Sequence, residues 1–262
     1  MSKISPLAVI EDGAIIGDGV EIGAFCFISA KSKIGKGTKI AQGACIYGNT
    51  TIGEDNHIFS HAVLGSIPQD LKYDGEDTEL IIGNRNKIRE FTLFNPGTVG
   101  GGGKTIVGDD NLFMGYVHLG HDVIVGNNCI LANAATLAGH VEMGNFAVIG
   151  GMTPIHQFVK IGDYAMVAGA SALSQDVPPY CMAEGNRAVL RGLNLNGLRR
   201  HMDRADIDEL KSAYHLLFES AKPLQEQAKE LLNSKNSYVL NMANFIANTK
   251  RGIPFERKNN DT

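Results

Sequence analysis

Residues 10–64 read IEDGAIIGDGVEIGAFCFISAKSKIGKGTKIAQGACIYGNTTIGEDNHIFSHAVL, and every sixth residue of this stretch is aliphatic. The column comprises Ile10, Ile16, Ile22, Ile28, Ile34, Ile40, Ile46, Ile52, Ile58 and Leu64. It returns at Ile82, Ile88 and Phe94 and, after a shift of one residue, at Val107, Phe113, Leu119, Val125, Leu131, Leu137, Met143, Ile149, Ile155, Ile161, Val167 and Leu173. A fixed short period over this length is typical of a repeat architecture.

Each repeat has a second defined position. A small or β-branched residue precedes most of the aliphatic residues by two places, as at Ala14, Val20 and Cys129. Because alternate residues of a β-strand point to the same face, both positions are expected inside. The remaining Gly, Asn and Asp residues are expected to turn corners with positive φ. Three hexads would close one triangular coil, and the stacked coils would form a parallel β-helix.

Two breaks in the column and a later change of period indicate how the chain is organised. The breaks, at roughly 65 to 81 and 95 to 106, are predicted to be loops that leave the solenoid, where repeat proteins often carry binding groups. After Pro178 and Pro179 the hexads stop, and Asp203 to Asp206 resemble a capping box that opens a helix. Further helices are expected near 223–233 and 237–249. The predicted domains are a β-helix over 1–180 and a C-terminal α-helical domain over 181–262.

Composition limits the partners and the compartment. The chain of 262 residues has a formal net charge of −4, so no overall basic surface favours nucleic acid as a partner. The first residues, MSKISPLAVI, do not resemble a secretory signal, and no run of about 18 apolar residues occurs. We therefore expect a cytoplasmic protein without stable membrane insertion. The four cysteines form no CxxC pair, which argues against a zinc knuckle or a disulfide framework.

Histidines gather at one predicted edge of the solenoid. With three hexads in each coil, His121 stacks on Gly139, Asp122 stacks on His140, and His156 lies one coil further on. None of the three histidines occupies an inward position, so they are expected to converge on the outside of successive coils. A histidine beside a carboxylate can act as a general base near neutral pH.

Two other interpretations of these histidines remain open. They could be polar corner residues without a function. They could also bind zinc across a trimer interface, since γ-type carbonic anhydrases place three histidine ligands on the same kind of solenoid. The metal interpretation leaves the adjacent carboxylate unexplained, and we expect no metal or other cofactor.

A block of basic residues follows the last hexads. Residues 187–201 read RAVLRGLNLNGLRRH and contain four arginines but no acidic residue. In a chain that is acidic overall, this block favours contact with phosphate groups or with an acidic protein. The alternative, for any single arginine, is a solvated surface position.

Longer motifs, together with the helical tail, resemble one family, the acyl-ACP:UDP-N-acetylglucosamine acyltransferases. The motifs are QDLKY (69–73), GTVGGGG (97–103), HLGHD (118–122), LANAATLAGHV (131–141), IGGMTPIHQF (149–158) and QDVPPY (175–180). They span nearly the whole chain. The resemblance implies a left-handed β-helix, a homotrimer with active sites between subunits, and no cofactor. It also implies the first step of lipid A biosynthesis, in which a 3-hydroxyacyl chain passes from acyl carrier protein to the 3-position of UDP-N-acetylglucosamine.

The same resemblance assigns roles to individual residues. It makes His121 the general base, Asp122 its orienting partner and the Gly139 backbone N–H the oxyanion donor. The implied substrate contacts are Gln69 and Asp70 for the hydroxyacyl chain, Lys72 and His118 for the sugar nucleotide or acyl chain, His140 and His156 for the sugar, and Gln157, Asn194 and Arg200 for uridine and diphosphate. A position matching Gly169 forms the floor of the acyl groove, and glycine there implies a long acyl chain.

Two departures from the family pattern leave the acceptor sugar open. Leu93-Phe94-Asn95-Pro96 stands where a basic or histidine-containing stretch is usual, and Asn196 stands where a glutamate is expected near the nucleotide. The alternative acceptor is the 3-amino analogue of the sugar nucleotide, which would give an amide. The related N-acyltransferases carry an additional N-terminal domain, whereas the hexads begin here by residue 10. A purely structural solenoid would not explain QDLKY, the helical tail and the arginine block together.

Overall fold

The structure is a computed structural model that describes residues 2–256. Its strands are β1 (Lys3–Ile4), β2 (Val9–Ile10), β3 (Ile15–Ile16), β4 (Glu21–Ile22), β5 (Phe27–Ile28), β6 (Lys33–Ile34), β7 (Lys39–Ile40), β8 (Cys45–Ile46), β9 (Asn49–Ile52), β10 (His57–Ile58), β11 (Val63–Leu64), β12 (Glu79–Ile82), β13 (Lys87–Ile88), β14 (Leu93–Phe94), β15 (Lys104–Val107), β16 (Leu112–Phe113), β17 (His118–Leu119), β18 (Ile124–Val125), β19 (Ile130–Leu131), β20 (Thr136–Leu137), β21 (Glu142–Met143), β22 (Val148–Ile149), β23 (Pro154–Ile155), β24 (Lys160–Ile161), β25 (Met166–Val167), β26 (Cys181–Glu184) and β27 (Val189–Leu193). A 3₁₀ turn spans Val99–Gly101, and four helices follow the strands, α1 (Leu195–Leu198), α2 (Arg204–Glu219), α3 (Leu224–Leu231) and α4 (Ser237–Ala247).

The strands form three sheets that make a triangular solenoid. The first sheet takes every third strand from β1 to β25, the second runs from β2 to β23, and the third from β3 to β24. Pairing is parallel throughout these strands, and where no loop intervenes the partners are three hexads apart, as in Leu119 opposite Leu137. The predicted coil of three hexads is therefore confirmed.

The core is the column that the sequence predicts. From Ile22 to Leu173 the aliphatic residues of the hexads are buried, and the small residues two places earlier, such as Cys26 and Ala135, are buried with them. The buried amides of Asn56, Asn86 and Asn111 continue the column by accepting hydrogen bonds from the backbone of the next coil. Most inward side chains are thus either apolar or paired, as close packing requires.

The prediction that Gly, Asn and Asp supply positive φ at the corners is confirmed at positions such as Gly13, Asp55 and Asn128, but many corners use other residues. The left-handed residue of most corners lies three places after the aliphatic residue and is often aromatic, as at Phe91 (φ 58°) and Tyr116 (φ 63°). These rings stack between coils, with 5.1 Å between the centroids of Phe91 and Tyr116. A left-handed residue with a side chain costs about 1–2 kcal/mol, and an aromatic pair returns about 0.5–1.5 kcal/mol. Ring stacking therefore makes this conformation tolerable for residues other than glycine.

The glycines that directly follow the aliphatic residues have a different role, since most of them do not adopt positive φ. A Cβ built on Gly35 would lie 2.8 Å from the backbone nitrogen of Glu54 and closer still to Gly53. These glycines allow the backbones of successive coils to approach.

Replacement of Gly35 by alanine should lower the free energy of unfolding by about 1–3 kcal/mol, as other overpacking substitutions do. The added methyl group meets only backbone atoms, which cannot move aside without opening the coil. Urea denaturation followed by circular dichroism would measure the effect. Gly100 is the matched control, because a Cβ there meets nothing within 4 Å. Equal stability of the two variants would contradict close approach as the reason for glycine at 35.

Both predicted loops leave the solenoid at the same corner, between the second and third sheets. The first lies between β11 and β12 and the second between β14 and β15. They end earlier than the predicted limits of 81 and 106, because residues from Glu79 and from Lys104 onward already pair as strands. The first loop is tied at its start by the Asn95 amide, which donates to the carbonyls of Ser66 and Ile67.

After the last coil, strands β26 and β27 form an antiparallel hairpin that extends the first sheet, and the four helices follow. Helices α3 and α4 confirm the predicted helical segments 223–233 and 237–249. Helix α2 begins after Asp203 as predicted, but the Asp203 side chain makes no capping hydrogen bond. The Asp206 carboxylate accepts a hydrogen bond from the side-chain amide of Asn236 and so does not complete a capping box. The helices contact the solenoid through Asn241, which donates to Asp163 and to Tyr180. The division at residue 180 stays a prediction.

Among the described residues, no helix has the length and apolar character needed to cross a membrane.

Candidate active site

The candidate site lies on the corner that also bears both loops. His121 and Asp122 form this corner between β17 and β18, and Gly139 and His140 form it one coil later, between β20 and β21. Because the loops at 65–78 and 95–103 join the same two sheets, four successive coils present these loops and corners along one edge. The repeat therefore explains why residues far apart in the chain are neighbours here.

His121 and Asp122 form a hydrogen-bonded pair. Nδ1 of His121 lies 2.8 Å from Oδ2 of Asp122, and the Asp122 side chain is almost wholly buried, whereas the His121 ring is partly exposed. Since a carboxylate accepts, Nδ1 of His121 carries the proton in this pair and Nε2 presents a lone pair. The geometry is that of an oriented general base.

Asp122 is itself held from two sides. Its oxygens accept hydrogen bonds from the Thr98 backbone N–H at 2.9 Å and from the Thr98 hydroxyl at 2.6 Å. Its own N–H donates to the Thr105 hydroxyl at 2.8 Å. Sequence reasoning assigned no role to Thr98 or Thr105, although the GTVGGGG motif that contains Thr98 was a signal for one.

Gly139 lies directly against the His121 ring, as the coil arithmetic predicts. A Cβ built on Gly139 would be 2.5 Å from Cε1 and 2.6 Å from Nε2 of His121. Within residues 2–256 the Gly139 N–H has no hydrogen-bond acceptor. A backbone donor without a partner beside a general base can stabilise a developing oxyanion.

His140 completes the cluster. Its Nδ1 lies 3.8 Å from Oδ2 of Asp122, its ring meets the His121 ring edge-on at 4.9 Å, and it stacks on Phe158 at 4.4 Å. Burial lowers the pKa of His140, while the carboxylates of Asp122 and Asp70 act in the opposite direction. Asp70 belongs to the first loop, which leaves the solenoid at this same corner.

His118 lies on β17, the strand that leads into the corner of His121, and is largely buried. Its Nδ1 donates to the Leu93 carbonyl at 3.0 Å. In the neutral ring Nε2 is therefore a hydrogen-bond acceptor. Burial lowers the pKa of His118, so the neutral ring is favoured. Leu93 begins the segment that departs from the family pattern, so this segment orients His118 through its backbone.

All three histidines lie at the predicted corner, between the second and third sheets, but the ring contact joins only His121 and His140. His156 is exposed, its Nδ1 contacts the Gln157 carbonyl at 3.2 Å, and it borders a cavity of about 570 Å³ that Arg187 also lines. The physical reason is the hexad position: His156 is the first residue after its strand, His121 the second and His140 the third. His156 also lies one coil beyond His140 and two coils beyond His121, so a shared corner does not by itself give contact.

The same result bears on the zinc interpretation. Among residues 2–256, the group able to offer metal ligands is His121, Asp122 and His140, whose ligand atoms lie within 4.8 Å of one another. This set lacks the third histidine, and the Asp122 oxygens already accept three hydrogen bonds. The arrangement fits an oriented acid–base pair better than a three-histidine metal centre.

The remaining predicted residues differ in exposure. Gln69 and Lys72 are exposed, and Asp70 accepts a hydrogen bond from the Lys72 backbone. Asn194 is buried. Its side-chain amide accepts a hydrogen bond from the Gly197 N–H, which caps α1, and donates one to the Tyr164 carbonyl. Other predicted positions, namely Gln157, Gly169 and Arg200, are exposed. Their substrate contacts stay predictions.

Known proteins match this chain along its whole length. It is 74% identical over 259 residues to the acyl-[acyl-carrier-protein]–UDP-N-acetylglucosamine O-acyltransferase of Sulfurimonas denitrificans, an alignment that covers 98% of this chain and 99% of that protein. It is 64% identical over 260 residues to the enzyme of the same name from Aliarcobacter butzleri, covering 98% and 100%. Family models match residues 176–254, described as domain 2 of UDP N-acetylglucosamine O-acyltransferase, and residues 104–139, described as bacterial transferase hexapeptide repeats.

Solved structures give the same result. The UDP-N-acetylglucosamine acyltransferase from Campylobacter jejuni superposes with a TM-score of 0.94 at 52% identity, covering 97% of this chain and 100% of that one. This similarity confirms the predicted fold class, a left-handed parallel β-helix followed by C-terminal helices. With relatives this similar over nearly the whole chain, the protein belongs to the acyl-[acyl-carrier-protein]–UDP-N-acetylglucosamine O-acyltransferase family.

Proposed function

We propose that this acyltransferase moves a 3-hydroxyacyl chain from acyl carrier protein to the 3-position of UDP-N-acetylglucosamine, the first step of lipid A biosynthesis. The names of its relatives state the donor and the acceptor. The observation that carries the mechanism is the His121–Asp122 pair with its ring against Gly139, whose N–H has no acceptor within the described residues. A base and an oxyanion donor on adjacent coils are the two groups that acyl transfer needs.

The chemistry follows from these three residues. Nε2 of His121 accepts the proton of the sugar 3-hydroxyl as that oxygen bonds to the thioester carbonyl carbon. The carbonyl oxygen then carries negative charge, which the N–H of Gly139 stabilises. Collapse of this intermediate breaks the C–S bond, and the protonated His121 returns its proton to the departing thiolate of the carrier protein. Asp122 stays ionised and stabilises the imidazolium in between.

The other predicted contacts follow the edge of the solenoid. The sugar and the hydroxyacyl chain would be bound by His118, His140 and His156 and by the loop residues Gln69, Asp70 and Lys72. Uridine and diphosphate would be bound by Gln157, Asn194 and Arg200. After its present hydrogen bonds with Tyr164 and Gly197, the Asn194 amide still has one N–H and one oxygen lone pair for such a contact. The protein would act in the cytoplasm as a homotrimer, without a cofactor.

The alternative acceptor is the 3-amino sugar nucleotide. The departures that leave it open are the segment Leu93–Pro96, which ties the first loop through Asn95 and orients His118 through Leu93, and Asn196, which is exposed. Mass spectrometry of the products formed from a mixture of both sugar nucleotides would separate an ester from an amide. Absence of product from either sugar, with 3-hydroxyacyl carrier protein as donor, would refute the proposed function.

The same mass-spectrometric experiment measures which acyl-chain length the protein prefers. A Cβ on Gly169 would lie 3.4 Å from the Gly151 carbonyl oxygen, so the position is open rather than filled. We propose that this opening admits a long acyl chain. With donors of several lengths in competition, the wild-type protein should prefer long chains, and Gly169→Met should prefer shorter ones. An unchanged preference in the variant would place the groove elsewhere.

The arginine block supports a docking surface for the acidic carrier protein. Arg191 and Arg199 are exposed and form no ion pair within the described chain, whereas nearby Lys211 is already bridged to Asp208 at 2.7 Å. Exposed cations without a partner are the groups that steer an acidic protein.

Charge reversal at Arg191 or Arg199 to glutamate should therefore raise the KM for acyl carrier protein several-fold and leave the KM for the sugar nucleotide unchanged. Initial rates at varied carrier concentration and low salt would measure this, because screening weakens such contacts. Lys36→Glu gives the same change of charge on a distant coil as a control. An unchanged KM for the carrier in both arginine variants would remove these residues from the interface.

A further inference from the structure

The second loop has a specific contact with the candidate base pair. It leaves the solenoid after β14, makes the 3₁₀ turn Val99–Gly101 and re-enters at β15. Thr98, the residue before the turn, directs both its backbone N–H and its hydroxyl at the Asp122 carboxylate, one to each oxygen. Gly101 packs on the same carboxylate so closely that a Cβ there would overlap it.

These contacts are what a buried carboxylate requires. Asp122 is 5% exposed and Thr98 is 7% exposed, so water cannot replace the hydroxyl without rearrangement. A buried ionised group is tolerated when its lone pairs are satisfied by charge-assisted hydrogen bonds. Because the Thr98 hydroxyl occupies one lone pair of Oδ2, that oxygen has one acceptor direction left, and the Nδ1–H of His121 uses it.

We propose that Thr98 is a positioning residue for the reaction. The loop at 97–103 holds the Asp122 carboxylate in the orientation that aligns His121. Thr98 touches no reacting atom and acts through Asp122. The inference rests on the proposed role of His121 as the general base.

The central experiment compares Thr98→Val with Thr98→Ser. Valine keeps the shape and the backbone N–H but removes the hydroxyl, and serine restores the hydroxyl without the methyl group. Loss of one hydrogen bond to a charged group corresponds to a factor of about 10 to 100. We expect kcat of the valine variant to fall by about that factor with both KM values unchanged, and kcat of the serine variant to stay near the wild-type value.

A matched control separates positioning from general destabilisation. The hydroxyl of Thr92 is buried but has no hydrogen-bond partner within the described chain, so Thr92→Val makes the same chemical change where nothing depends on it. Thr92→Val should leave kcat unchanged. If Thr98→Val changes only the melting temperature, or if it lowers kcat no more than Thr92→Val does, the inference is wrong.

Two further variants keep the outcome interpretable. Should Thr98→Val fold poorly because it strands a buried charge, the same substitution is made in an Asp122→Asn background, where that charge is absent. There Thr98→Val should have no further effect on kcat, and an additional tenfold loss would overturn the inference. His121→Ala tests the underlying mechanism separately: if it keeps wild-type kcat, the base role fails, whereas a dead His121→Ala beside a fully active Thr98→Val refutes the Thr98 inference alone.

Discussion

Replacement of His121 by alanine should lower kcat by about 10²–10⁴-fold, the usual contribution of a positioned general base. The variant keeps the Gly139 N–H and the binding surface, so both KM values should change little. The fold should also persist, because His121 occupies an outward corner and its ring takes no part in the buried column. Mass spectrometry of the acylated sugar nucleotide at saturating substrates would measure the loss.

The controls for this experiment are another histidine and the orienting carboxylate. His57 is exposed on the first sheet and stacks on Phe59 away from the site, so His57→Ala should retain full activity. Asp122→Asn should lower kcat by at least about tenfold, since it removes the charge-assisted hydrogen bond that the carboxylate accepts from the Nδ1–H of His121. If His121→Ala retained activity within a few-fold of wild type, the base would have to be sought elsewhere in the cluster, with His140 the nearest candidate.

The fold could be predicted because one physical requirement repeats at every hexad. An aliphatic residue such as Ile28 or Leu137 must face inward, and this requirement does not depend on the rest of the chain. The corners were less predictable. A residue with positive φ is expected to be Gly, Asn or Asp when considered alone, but Phe91 adopts it because Tyr116 stacks on it from the next coil. That compensation is visible only once the coils are aligned.

The site shows the same division between what the period controls and what it does not. The contact of His121 with Gly139 follows from a separation of one full coil, and the structure has it. The Thr98–Asp122 contact spans a loop that interrupts the period, so no counting rule relates the two residues. The period also places His156 at the predicted corner, but it does not give the contacts of the side chain, whose Nδ1 meets the Gln157 carbonyl.

Replacement of Gly139 by alanine is the second change with a large expected effect. The added Cβ would lie 2.5 Å from Cε1 of His121, and atoms this close must separate. The φ of Gly139 is not in the left-handed region, so alanine fits the backbone and the fold should survive. The His121 ring must therefore shift, and a displacement of about 1 Å can cost roughly 10²-fold in rate. Steady-state kinetics should show kcat reduced by at least about that factor, with the melting temperature nearly unchanged.

The cause of that loss can be identified by two comparisons. Gly115→Ala introduces the same methyl group at another corner, where the nearest atom is 3.2 Å away, and it should be active. In a His121→Ala background there is no ring for the methyl group to displace, so adding Gly139→Ala should lower kcat little further. Fully additive losses would instead mean that the alanine disturbs the backbone donor itself. Either result keeps position 139 in the mechanism, whereas an active single variant would contradict the close contact between position 139 and the His121 ring, since alanine keeps the backbone N–H.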